Sequence, residues 1–164
     1  MTTPIWLSVA RMTLGIREVP GAANNPLLMQ WAKDIGAPEW YDNDGLPWCS
    51  VYLNRLMLAC QLPLSGKGFE LLRASSFMAW GSPLVLPSFG CVMTFRRPEG
   101  NHVGLYIGEN VTHYRILGGN QGNAVSETWI AKERLTAMRW PTGTPAHEGR
   151  IWLNDSGAVS TDER

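Results

Sequence analysis

The chain has 164 residues, an apolar fraction of 45% and 14 basic against 14 acidic side chains. That is enough chain and enough apolar surface for one domain with a core of its own. The even charge balance and the lack of any Lys/Arg run leave no electrostatic ground for binding nucleic acid or an anionic membrane, and no stretch approaches the roughly 18 consecutive apolar residues of a membrane-spanning helix.

Residues 1–16 lack the basic start, the apolar run and the small-residue cleavage site of a secretory signal. The three cysteines are an odd number in an ordinary-sized domain, which points to free thiols and a reducing compartment during synthesis. The expectation is therefore synthesis in the cytoplasm without a signal peptide. In chain order, Thr3-Pro4 reads as an N-cap followed by a first-turn proline, with Ile5, Val9, Met12 and Ile16 at helical spacing and Gly15 as a stop. Asn25-Pro26 opens a second helix with Leu27, Leu28, Trp31, Ala32 and Ile35 as its stripe, ended by Gly36. Residues 38–45 form a polar loop. A third helix over 47–60 is apolar on more than one face, which predicts a central position. A fourth, short helix falls within 71–80.

The pattern then changes to strands at 91–95, 102–107, 112–117, 124–128 and 135–140, with a hairpin loop over 96–101 and a glycine-rich turn at 118–123. Helices followed by a meander predict an α+β fold, N-terminal helices packed on an antiparallel sheet of about five strands. Residues 1–145 read as a single domain. Residues 146–164 read as an extension in which Ile151-Trp152-Leu153 docks as a short strand and 155–164 frays. The eight tryptophans suit either core filling or cleft lining.

Candidate chemistry centres on Cys49. A proline at position 47 in the first helical turn would leave its sulfur among unpaired N–H groups at the positive end of the helix dipole, an environment that lowers a thiol pKa. Strand alternation puts His102 with Gly104 and Tyr106, opposite Val103, Leu105 and Ile107, where it would serve as a base. Asn120, in the turn Gly118-Gly119-Asn120-Gln121, would orient the imidazole through its side-chain carbonyl. Each has a plainer reading too, His102 as a hydrogen-bonded strand histidine and Asn120 as a turn residue. Cys60 and Cys91 read as buried structural cysteines. No closely spaced ligand pairs suggest a metal site, and no glycine-rich loop opens a helix as nucleotide binding requires.

The order of these elements resembles the papain-like CHAP and NlpC-type cysteine amidohydrolases, and more narrowly a group of small phage-associated and bacterial peptidoglycan hydrolases. The resemblance covers roughly residues 5 to 141. It is carried by Gly15-Ile16-Arg17-Glu18-Val19-Pro20-Gly21, Asn25-Pro26, Asp44 with Trp48-Cys49-Ser50, and Trp80-Gly81. Gly90, Phe95, His102-Val103-Gly104-Leu105-Tyr106, Gly118-Gly119-Asn120-Gln121 and Arg139-Trp140-Pro141 continue it. The chain departs from the pattern at Gly90-Cys91, where Gly-Asp is usual, and at Ala74-Ser75-Ser76-Phe77, where Ala-Arg-Ser-Trp is usual.

The resemblance implies a papain-like fold and a cysteine acyl-enzyme mechanism needing no cofactor. Cys49 would be the nucleophile, His102 the general base and acid, and Asn120 the residue that orients the histidine, with Tyr41, Asp44 and Trp48 flanking the cleft as substrate-binding residues. The substrate would be peptidoglycan, cut at a stem-peptide amide or at the N-acetylmuramoyl-L-alanine bond. The protein would then be a phage lysin released through a holin pore, or an antibacterial effector exported by a secretion machine and matched by an immunity protein. Deamidation or acyl transfer on a protein, or an inactive wall-binding module, are the alternatives on the same scaffold.

Overall fold

The computed structural model describes residues 2–147, 149–154, 157, 159 and 160. Helices come first. They are α1 (Ile5–Arg11), α2 (Pro26–Asp34) and α3 (Cys49–Ala59), followed by two short 3-10 helices, Gly68–Leu72 and Ala74–Ala79. Strands follow as β1 (Ser82–Pro83), β2 (Val92–Arg97), β3 (Gly100–Glu109), β4 (His113–Gly118), β5 (Ser126–Ala131) and β6 (Leu135–Trp140), with a 3-10 turn at Lys132–Arg134 before the last. The strands make one open antiparallel sheet in the order β1-β6-β2-β3-β4-β5. The fold is α+β, with six strands rather than about five. The additional strand is the two-residue β1, too short to carry an alternating pattern.

Local chemistry explains the helix boundaries. Asn25 caps α2 by accepting from the Leu27 N–H (2.9 Å), with Pro26 at the first helical position, and Gly36 leaves the helix at φ 76°. In α1 the cap is Pro4 itself, one residue later than the sequence reading placed it. In α3 the cap is Trp48, so Pro47 lies outside the helix and Cys49 is its first residue. Eight of its eleven residues are buried, from Cys49 through Asn54 and then Leu56 and Met57, so α3 is the central helix its composition predicts. Buried Asn54 donates to Ser65 Oγ (2.9 Å) and the Leu71 carbonyl (3.1 Å), and it accepts from the Ser65 N–H (2.8 Å). This polar anchor holds the 65–72 segment against α3.

The loop expected over 96–101 is a tight hairpin, since Arg97 pairs with Gly100 and the strands run on to its tip. Six of the eight tryptophans are buried, while Trp40 and Trp152 are more than half exposed. Alternation along β3 does not separate a covered face from an open one, because residues 102–109 are all buried. One reason is the segment after residue 148. Ile151 donates its N–H to Tyr106 Oη (2.9 Å), Leu153 lies against Gly108, and Trp152 bridges Glu109. Ile151-Trp152-Leu153 thus docks as expected, but as an isolated parallel bridge to Glu109 rather than as a short strand. Within the tail expected to fray, Val159 bridges Trp129 and Ser160 donates to the Trp129 carbonyl (2.9 Å); residues 155, 156, 158 and 161–164 lie outside the described residues.

Candidate active site

Cys49 is 3% exposed and lines a cleft of about 280 Å³. Burial pushes its thiol pKa up, against the expected lowering. The Arg97 charge and the backbone N–H groups of Val103, Ser50 and Cys49 itself act in the opposite direction. The helix start does supply donors to the sulfur, but loss of water around the anion outweighs them. Val103 is the neighbour of His102, so the hydrogen bond its N–H offers the sulfur brings Cys49 to the His102–Val103 step of β3.

His102 is fully buried and sits opposite Phe95 of β2. Its Nε2 lies 3.0 Å from Gln121 Oε1. Gln121 is oriented by its own bonds. Its amide nitrogen donates to the Ser126 carbonyl (2.6 Å) and the Ile116 carbonyl (3.3 Å), which leaves Oε1 for the ring. An accepting Oε1 requires a proton on Nε2, so the neutral imidazole carries its lone pair on Nδ1.

The residue that contacts the ring is therefore Gln121 and not Asn120. Asn120 has φ 58° and reverses the chain, and its side chain is 4% exposed with no hydrogen-bond partner for Oδ1. Two neighbouring glycines fix the turn. A Cβ on Gly119 would meet Trp48, the cap of α3, and Tyr52 within α3 at 2.7 Å, and one on Gly118 would meet Gln121 Oε1 at 2.9 Å. The segment that follows α1 braces the same turn. Gly15 donates to the Val125 carbonyl (2.9 Å), Val125 to the Ile16 carbonyl (2.7 Å) and Glu18 to the Asn123 carbonyl (3.0 Å). Trp48 closes the ring of contacts through its indole N–H to Glu18 Oε1 (2.7 Å).

Tyr41, Asp44 and Trp48, expected to flank the cleft, point inward and are at most 7% exposed. The Asp44 carboxylate accepts from the backbone N–H groups of Asn25 (2.7 Å) and Val19 (3.1 Å). Tyr41 donates to the Leu46 and Pro47 carbonyls (3.3 Å each), and burial holds its phenol pKa well above the usual value. Asp44 and Trp48 tie the 38–48 loop to the segments at residues 18–25, and Tyr41 braces the loop internally. The cleft walls come from elsewhere: Pro47 and Cys49, then Leu72, Arg73, Ala74 and Ser75 from the 3-10 segment, and Arg97, Glu99, Gly100 and Asn101 from the β2–β3 hairpin. Sequence reading missed Gln121, Arg73 and Arg97. For Gln121 the signal was present, as the second amide of the same Gly-Gly-Asn-Gln turn.

Cys60 is half-buried and Cys91 fully buried, and both are free thiols. Among the described residues no three His, Cys, Asp or Glu side chains gather as metal ligands would, and no helix is long and apolar enough to cross a membrane. No family model, curated protein or solved structure matches this chain.

Proposed function

We propose that the protein is a papain-like cysteine amide hydrolase acting on peptidoglycan. One arrangement carries the reading: a thiol on the first residue of α3 that accepts from the backbone N–H of Val103, the residue next to a strand histidine whose Nε2 is held by the glutamine amide. His102 Nδ1 takes the Cys49 proton as the sulfur attacks the amide carbonyl. The oxyanion forms at the start of α3, where a single backbone donor is worth about 3 kcal/mol. Collapse breaks the C–N bond, and the imidazolium gives its proton to the leaving amine. Water, deprotonated by His102, then hydrolyses the thioester and frees the thiol.

Peptidoglycan as substrate rests on the sequence resemblance over residues 5 to 141. On this reading the protein acts in the cell wall, after release through a holin pore or export as an effector with an immunity partner. The test is to incubate purified peptidoglycan with the protein and identify the products by mass spectrometry. Soluble fragments with one new amine and one new carboxyl terminus name the bond. Intact peptidoglycan after prolonged incubation with folded protein would remove this reading.

A further inference from the structure

We infer that the cleft selects a substrate with a free carboxylate beside the scissile amide, and that Arg73 is the residue that reads it. This rests on the amide-hydrolase reading and names the substrate class of the same site.

The argument begins with charge. The chain as a whole balances at 14 basic and 14 acidic side chains, yet the Cys49 cleft has two arginines, Arg73 and Arg97, and one acid, Glu99. Arg97 already acts on Cys49 through its charge. Ser75 and Asn101 add neutral hydrogen-bonding groups to the walls.

Arg73 is built for recognition. Its guanidinium carbon lies 4.2 Å from the centroid of the Phe69 ring, and it forms no ion pair among the described residues. A guanidinium held over an aromatic face does not spend its N–H donors on the ring and keeps them for a partner. Those donors form a fork that matches both oxygens of a carboxylate. The backbone beneath is fixed as well. Arg73 donates to the Glu70 carbonyl (3.1 Å) and accepts from the Ser76 N–H (3.1 Å), and the Asn54 amide holds Leu71 two residues before it. Arg73 is exposed, at a cleft that Cys49 also lines.

The test compares soluble muropeptides bearing their free carboxylates with the same muropeptides after conversion of those groups to carboxamides. The wild type is expected to cut the carboxylate form with at least tenfold higher kcat/KM. Arg73→Gln should bring that ratio close to one, and Arg73→Lys, which keeps the charge but loses the fork, should leave it in between. Equal cleavage of both forms by the wild type overturns the inference while leaving the hydrolase reading intact. So does a wild-type preference that Arg73→Gln preserves in full. If the wild type cuts neither form, the hydrolase reading fails and the inference with it.

Discussion

Gln121 Oε1 lies 3.0 Å from His102 Nε2, and the rest of that amide is bonded to the Ser126 and Ile116 carbonyls. The glutamine is thus a fixed stop for the ring and also a link between the β4 and β5 ends. Gln121→Ala should lower kcat by about tenfold or more, since a base that loses its orientation forfeits part of the usual general-base gain. It should also cost about 1–3 kcal/mol of stability, because two carbonyls lose a donor. Asn120→Ala should leave kcat closer to the wild type. Steady-state rates and urea titrations of the two variants separate the roles.

The two glycines before this pair should fail in different ways. Gly119→Ala forces a methyl into Trp48 and Tyr52, with contacts near 2.7 Å, and should destabilise by about 1–3 kcal/mol as an overpacked core does. Gly118→Ala meets the Gln121 side-chain amide at 2.9 Å and the His102 ring at 3.4 Å. It should depress the rate more than the urea midpoint.

The Cys49 thiol supplies a pH test. Burial raises its folded-state pKa, whereas in the unfolded chain it titrates at about 8.5. The unfolded state therefore loses the proton first as pH rises. The stability this group contributes is intact below about pH 8.5 and declines as pH climbs toward the folded-state value. Between pH 7 and 10 the wild type should lose more of its urea midpoint than Cys49→Ala. Arg97→Gln removes a cation that favours the thiolate, so iodoacetamide should alkylate Cys49 in that variant with a midpoint at higher pH than in the wild type.

Asp44 should behave as a structural residue. Asp44→Ala leaves the Val19 and Asn25 N–H groups without their acceptor and should cost about 1–3 kcal/mol. Thermal unfolding measures that loss. A large rise in KM with unchanged stability would instead return Asp44 to the cleft wall.

Much of this architecture is legible in the sequence. Asn25-Pro26 states its own helix start, Leu135–Trp140 is a strand by pattern and by structure, and the apolar surround of α3 marks it as central. The misses share a physical cause. A polar loop reads as exposed, yet Asp44 turns inward to accept from the Val19 and Asn25 backbone, and Tyr41 turns inward to donate to the loop's own Leu46 and Pro47 carbonyls. Two adjacent amides in one turn cannot be ranked by composition; here Asn120 takes the left-handed turn position and Gln121 bonds the ring. The N–H donors at the helix start act on Cys49 locally, whereas the burial that overrides them comes from the whole fold. Arg73 and Arg97 are 24 residues apart in the chain and share a cleft only after the hairpin folds back.

The central claim is that Cys49 becomes acylated during amide cleavage. The direct measurement is to quench the protein in acid during turnover of peptidoglycan fragments and locate any added mass by peptide mapping. The account predicts an adduct of the acyl fragment's mass on the peptide containing Cys49, absent in Cys49→Ala, which should release no product. Product release by Cys49→Ala at the wild-type rate would contradict it.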